Sequence, residues 1–218
     1  MITLTEENYI KAIYHLSNQG LEVVSTNAIA KEMATKASSV TDMVKKLSEK
    51  GYAFYKKYQG VTLTEEGKEI AINIVRKHRL WEVFLVEKLN FSWDEIHEVA
   101  EQLEHIKSKK LISQLDAFLG FPTHDPHGDP IPDDSGKIKK IDKILLSEAS
   151  VNDDCICVGV QDSSSAFLQY LNKHNIALGV RVKVVQIEPF DHSVTIKIAD
   201  KELVISSIIA NNLFVKLV

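Results

Sequence analysis

A chain of 218 residues with 44% hydrophobic residues, nine glycines and five prolines is globular, with room for one large domain or two to three small ones. No apolar run reaches the roughly eighteen residues that a membrane span needs, and the start MITLTEENYIKAIY lacks the basic-then-apolar pattern of a signal peptide, so a cytoplasmic protein is expected. The net charge of -4 hides an asymmetry. Residues 31–60 carry seven lysines against three acidic residues, a balance of +4, whereas 61–120 carry eight basic and eleven acidic residues, a balance of -3. A basic segment suits phosphates and an acidic one suits cations.

In chain order, Tyr9, Ile10, Ile13 and Leu16 recur at helical spacing over residues 5–19, with Thr5 as an N-cap. After Gly20, Ser25 or Thr26 can cap a short helix, NAIAKEMA. A third helix, KASSVTDMVKKLSEKG, then has serines to cap it, an apolar stripe of Val40, Met43, Val44 and Leu47, and a stop at Gly51. Two short helices joined by a tight turn have the form of a helix-turn-helix. Lys36, Ser38, Ser39, Thr41, Asp42 and Lys45 would then face the major groove of double-stranded DNA, mixing base-edge and phosphate contacts. The next stretch, YAFYKKYQGVTLTEEG, reads as two short strands around a turn at Gln59 and Gly60, with a capped helix start at Thr64. This hairpin would be a wing, with Lys56 and Lys57 beside the phosphate backbone.

The segment from His78 to His105 carries the densest chemistry. His78 and Glu82 are four apart, and His97, Glu101, Glu104 and His105 fall at relative positions 0, 4, 7 and 8, so each set shares one helical face. Imidazole with carboxylate suits Mn, Fe, Co, Ni or Zn, whereas an all-oxygen set suits Ca or Mg. The same spacing is also found on solvated acidic helices, and spacing alone leaves both readings open. Leu80, Val83, Phe84, Leu111, Leu115 and Phe118 read as core and dimer interface, and Trp81 and Trp93 flank the ligand helices.

Residues 121–140, FPTHDPHGDPIPDDSGKIKK, are dense in Pro and Asp and read as a link to a further domain, with His124 facing solvent. Cys155 and Cys157 alternate on one face of an apolar stretch and read as reduced thiols packed in a strand, with metal ligation or a disulfide as the other readings. From about residue 150 the pattern is strand-like: CICVGVQD, a helix SSAFLQYLNKHN capped by Ser163 or Ser164, then GVRVKVVQIEPF, SVTIKIAD, KELVISSIIAN and NLFVKLV. Alternation in these stretches points to half-buried strands of a small barrel.

Read together, EENYIKAIYHL, SSVTDMVKKLSEKG, YKKYQGVTLTEEG, RKHRLWEVFL, IHEVAEQLEHI and HDPHGDPIPD give the chain a resemblance to the diphtheria toxin repressor family of metal-dependent transcriptional regulators. The resemblance implies a mostly α protein with β in three parts. Residues 1–64 would be a winged helix-turn-helix domain, 65–140 a helical metal-binding and dimerisation domain with linker, and 141–218 an SH3-like, FeoA-type domain. It also implies a non-enzymatic homodimer that binds operator DNA when loaded with divalent metal, typically as a repressor of metal-uptake genes.

The family's ligands carry over to His78, Glu82 and His97 as one site, and to Asn8, Glu101, Glu104 and His105 as the primary one. Two positions depart from the family's pattern. The iron-sensing branch has Cys where this chain has Glu101, and members usually have Met or Asp where it has Asn8. A hard carboxylate in place of a thiolate favours Mn(II) over Fe(II), and Asn8 still offers a neutral amide oxygen. Some manganese-type relatives place Cys-Pro-His-Gly where this chain has Asp125 to Gly128, which makes Asp125 and His127 further ligand candidates, turn residues being the other reading. The C-terminal domain of the iron branch lends a Glu and a Gln to the ancillary site. Ser163 and Ala166 stand there in this chain, and Asp162, the nearest carboxylate, is the ligand candidate in their place. The competing functional reading is a winged-helix regulator under a non-metal effector. A metallohydrolase is disfavoured because the chain has no HExxH and no nucleophile motif.

Overall fold

The computed structural model describes residues 2–138 and 142–218, so the expected domain boundary at 140/141 lies outside the described residues. The chain divides into two compact units. One comprises Met1–Trp81, Glu101–Gln114 and Pro132–Ile138; the other comprises Glu82–Ala100, Leu115–Ile131 and Lys139–Val218. Three helices contribute residues to both: α4, Glu65–Leu89; α5, Ile96–Leu103; and α6, Lys109–Phe118.

The first unit opens with α1, Leu4–Leu16. Its N-cap is Thr3, not the expected Thr5. The Thr3 hydroxyl accepts from Glu6 N–H and the Glu6 carboxylate accepts from Thr3 N–H, a reciprocal capping box that satisfies two otherwise orphaned donors. Next come α2, Thr26–Glu32, with Ser25 as N-cap, and α3, Ala37–Glu49. The serines of α3 do not cap it: the N-cap position is Lys36, which makes no side-chain cap bond. Val40, Val44 and Leu47 are fully buried and Met43 partly so, as the stripe requires, and Gly51 follows the helix at φ 81°, a conformation that costs glycine little.

Strands β1, Ala53–Lys56, and β2, Gly60–Leu63, pair antiparallel with Lys56 opposite Gly60, forming the expected wing. Its turn runs through Lys57, Tyr58 and Gln59. Val24 bridges to Val61 and ties the α1–α2 connection to the hairpin. The core of this unit joins Ile10 and Ile13 of α1 to Ile29 of α2, Val44 of α3, Val61 of β2 and Val75 of α4. The linker is also held here. Arg76, nearly buried on α4, donates to the Pro132 carbonyl at 2.7 Å and pairs with Asp134 at 2.6 Å.

In the second unit, the helix α6, Lys109–Phe118, which begins in the first unit, ends beside the exposed rings of Phe118 and Phe121. Of the residues assigned to core or interface, Leu80, Val83 and Leu115 are buried, Phe84 is half-buried, and Leu111 and Phe118 are exposed. The remainder of this unit is a six-stranded antiparallel sheet. Its strands are β3, Ile144–Leu145; β4, Asp154–Val160; β5, Arg181–Ile187; β6, Val194–Ile198; β7, Lys201–Ile205; and β8, Leu213–Leu217. They lie in the order β3-β8-β4-β5-β6-β7. Bulges between Cys157 and Gly159 and between Val184 and Gln186 bend the sheet around its core. Helix α7, Ser165–Lys173, starts after Ser164. KELVISSIIAN is not one strand. Ser206 accepts from Ile209 N–H and starts the short helix α8, Ser207–Ala210, directly after β7. Both cysteines are buried and free, and burial pushes the Cys157 thiol up to about 11, as fits core residues.

One ion pair bears on acid stability. Glu6 is fully buried and takes hydrogen bonds from Lys50 at 2.8 and 2.9 Å, with Lys46 at 3.0 Å, so α1 is clamped to the C-terminal half of α3. Burial alone would raise its pKa, but Lys50, the Thr3 N–H and Lys46 outweigh it and lower the carboxyl from 4.5 to about 2. The folded state therefore binds fewer protons than the unfolded chain, so this stabilisation is complete above pH 4.5 and is lost as the pH falls towards 2. Glu6→Gln should cost about 2 kcal/mol at pH 7 and much less near pH 2; urea unfolding at both pH values checks this, and an equal loss at both would contradict it.

Candidate metal centre

The first unit gathers the expected primary ligands on two helices. Asn8 lies on α1, and Glu101, Glu104 and His105 lie on or just after α5. Glu104 is fully buried, and its environment is built of cations. His78 Nδ1 donates to Oε2 at 2.6 Å, Lys11 Nζ donates to Oε2 at 2.8 Å and lies 2.7 Å from Oε1, and Lys11 also reaches Glu101 Oε1 at 2.5 Å. Burial would raise the Glu104 pKa, but His78 and Lys11 outweigh that and hold it ionised, below the usual carboxylate range. His78, expected beside Glu82 and His97, turns Nδ1 towards Glu104.

His105 is oriented by a residue that sequence reasoning missed. Its Nδ1 donates to Glu7 at 2.6 Å, which leaves Nε2 as the lone pair, and Nε2 lies 3.9 Å from Glu104 Oε1. A carboxylate on one imidazole nitrogen fixes the tautomer and makes the other a stronger ligand. Two oxygens complete the set. Asn8 Oδ1 and Glu104 Oε1 are both buried without a hydrogen-bond partner, a costly state that a coordinated cation would relieve. An amide oxygen, carboxylates and an imidazole nitrogen together fit a divalent first-row ion.

The second unit holds a separate cluster. Glu82, Asp125 and His127 are buried, and one ligand atom from each lies within 4.8 Å of the others. His127 Nδ1 is 3.7 Å from Glu82 Oε1, and the more exposed His97 approaches the same oxygen at 3.8 Å. A backbone carbonyl can only accept, so the 3.0 Å contact between His127 Nε2 and Trp93 O puts the proton on Nε2 and the lone pair on Nδ1, facing Glu82. The Trp93 ring stacks on His127 at 6.2 Å.

The loop carrying these residues is fixed from both sides. Asp125 Oδ1 accepts from His127 and Asp129 N–H, and Val160 of β4 donates to His127 O. Gly128, at φ 85°, passes so close to β4 that a Cβ there would lie 2.1 Å from Val158 O. His124 is half-buried and bridged to Pro130, not solvent-facing as expected. Asp162 is exposed and caps the turn before α7 through Ser164 N–H, outside the Glu82 cluster.

Of the residues expected to face DNA, Lys36, Ser38, Ser39, Asp42 and Lys45 of α3, and Lys56 and Lys57 of the wing, are exposed. Thr41 is half-buried and its hydroxyl donates back to Ala37 O. Tyr58, under Lys57, and Phe54 are exposed aromatic residues on the wing that the sequence reading passed over.

A winged helix-turn-helix joined to helices that cluster His, Glu and Asp around buried, unsatisfied oxygens defines a class, the metal-responsive DNA-binding regulators. Comparison with known proteins narrows it. Residues 1–61 match the iron dependent repressor N-terminal DNA binding domain, 64–133 the iron dependent repressor metal binding and dimerisation domain, and 144–217 the FeoA domain. The HTH-type transcriptional regulator MntR of Oceanobacillus iheyensis is 34% identical over 155 residues, 70% of this chain and 97% of that protein. The iron-dependent repressor IdeR of Mycobacterium tuberculosis is 33% identical over 128 residues, 59% of this chain and 55% of that protein. A solved manganese-dependent transcriptional repressor in complex with manganese is 32% identical with a TM-score of 0.86, covering 98% of this chain and 100% of the other. The chain belongs to the iron-dependent (diphtheria toxin) repressor family, whose members are transcriptional regulators and not enzymes. Among the described residues no helix is long and apolar enough to cross a membrane.

Trp93 offers a local reporter for the second cluster. Co(II) or Mn(II) should quench the part of the tryptophan emission that Trp93→Phe removes, and His127→Ala should abolish that quenching; quenching that survives His127→Ala would mean the ion is held elsewhere.

Proposed function

We propose that this protein is a homodimeric, cytoplasmic repressor of metal-uptake genes that binds operator DNA when loaded with a divalent cation, Mn(II) in preference to Fe(II). The observation that carries the reading is the division of labour on one turn of α1. Glu6 holds Lys50 and Lys46 of α3, Glu7 holds His105, and Asn8 presents a buried, unpartnered amide oxygen. The helix that reads DNA and the residues that would hold metal therefore hang on three consecutive side chains. Asn8, Glu101, Glu104 and His105 would form the first site, with His78 orienting Glu104, and Glu82, Asp125 and His127, with His97 nearby, would form the second. A bound divalent ion would supply a charge that carboxylate, amide and imidazole ligands can coordinate together.

The chain's own residues do the rest. Glu7 holds His105 in the ligating tautomer, Glu6 passes the position of α1 to α3, and Lys45, Lys56 and Lys57 meet phosphates while Ser38, Ser39 and Asp42 face base edges. Fixing α1 against α5 fixes the attitude of α3, and in a dimer two such helices must meet successive major grooves about 34 Å apart. A coupling of about 1–3 kcal/mol would change operator affinity by about 5- to 150-fold. Hard carboxylates at Glu101 and Glu104, with no thiolate in the first site, support the manganese preference.

The test is binding to DNA from upstream of a metal-uptake gene in the protein's own genome, at fixed salt and without oxygen, comparing chelator, Mn(II) and Fe(II). Tight binding with Mn(II), and loss of its advantage over Fe(II) in Glu101→Cys, is expected. Equal binding with chelator would leave the winged helix standing and point to a non-metal effector, and an unchanged ratio in Glu101→Cys would remove the ligand-hardness argument.

A further inference from the structure

We infer that Lys11 is a built-in competitor for the metal: its ammonium group occupies the cation position of the first site, and an incoming ion must displace it. The inference rests on the proposed assignment of Asn8, Glu101, Glu104 and His105 as ligands.

The geometry places a single positive charge between the two carboxylates of this set. Lys11 Nζ lies 2.5 Å from Glu101 Oε1, 2.8 Å from Glu104 Oε2 and 2.7 Å from Glu104 Oε1. The last of these contacts lacks hydrogen-bond geometry, which leaves Glu104 Oε1 unsatisfied although a charge sits beside it. An ammonium offers three donors at fixed angles and cannot serve every oxygen of two carboxylates and an amide at once. Asn8 is three residues before Lys11, on the same face of α1, and its buried Oδ1 is the other unsatisfied oxygen. The lysine thus neutralises the carboxylate pair without completing the site, as a placeholder would. Its side chain is 12% exposed and Glu104 is fully buried, so solvent does little to screen the contact.

The arrangement has two consequences. In the metal-free protein Lys11 keeps two neighbouring carboxylates from facing each other bare, so the apo fold survives with α1 against α5. In the presence of metal the same charge is an energetic opponent, because the ion must expel the ammonium or share its carboxylates with it. Lys11 therefore sets the metal concentration at which the site fills, while ligand chemistry sets which ion fills it.

The test uses the full-length protein carrying His127→Ala, so that the second cluster does not contribute, and titrates it with Mn(II) while free Mn(II) is read by electron paramagnetic resonance. Lys11→Met, which keeps the stem and removes the charge, should bind Mn(II) on the order of tenfold tighter, and Lys11→Arg, which keeps the charge, should stay within about twofold of the parent. Thermal melting gives an independent readout. Metal-free Lys11→Met should melt below the parent, and the rise on adding Mn(II) should exceed the parent's rise; if Lys11→Met does not fold without metal, Lys11→Gln serves in its place. Parent binding with no gain in Lys11→Met, or with a loss, overturns the role given to Lys11 and leaves the site standing. Mn(II) binding by the parent and by Lys11→Met that Glu104→Gln leaves unaltered, or no Mn(II) binding by either, overturns the ligand assignment and this inference with it.

Discussion

Glu104 is the residue on which the arrangement of the first unit depends. A fully buried carboxylate is costly unless paired, and stripping one partner from a buried pair costs about 3–5 kcal/mol. Here the ion is held by His78 from α4 and Lys11 from α1, so three helices are drawn to one charge. The neighbours then fall into place: His105 follows Glu104 in sequence and reaches Glu7, and Glu7 follows Glu6, whose own buried charge is held from α3. Buried anions answered by cations from other elements thus link the DNA-reading helix to the helix that carries the candidate ligands. Each of those cation contacts can in principle be exchanged for another, which is what a switch controlled by a cation requires.

The second unit solves a similar problem with backbone instead of lysines. Its loop at 125–128 is fixed by hydrogen bonds to main-chain groups and by the close approach of Gly128 to β4. His127 is given its tautomer by a carbonyl, not by a carboxylate. The imidazoles of His97 and His127 both approach Glu82 Oε1, at 3.8 and 3.7 Å.

Much of this was legible in the chain. Helical spacing singled out His78 with Glu82, and His97 with Glu101, Glu104 and His105, as candidate ligands, the apolar stripe of α3 and the stop at Gly51 defined the third helix, and alternation found the strands of the C-terminal sheet. What escaped had physical causes. Thr3, not Thr5, caps α1 because only Thr3 has Glu three residues on; Thr5 has Asn8 there, which cannot close the box. KELVISSIIAN alternates well enough to read as one strand, but Ser206 hydrogen-bonds ahead to Ile209 and turns the chain into a helix. Lys11 and Glu7 were invisible as site residues because their partners are 90 to 98 positions away. Lys11 in a segment of ordinary amphipathic helix carries no local signal. Asp162 was proposed by proximity in sequence, whereas its carboxylate is taken up locally by Ser164.

The central claim is that metal and DNA act on one equilibrium through α1. Linkage makes it directly measurable, because whatever factor metal adds to DNA affinity, DNA must add to metal affinity. The decisive measurement is the Mn(II) affinity of the dimer alone and when saturated with operator DNA, in the same buffer and salt. The account predicts that DNA tightens Mn(II) binding by about the factor by which Mn(II) tightens DNA binding, on the order of 5- to 150-fold. A Mn(II) affinity indifferent to DNA would contradict it, whatever the ligands prove to be.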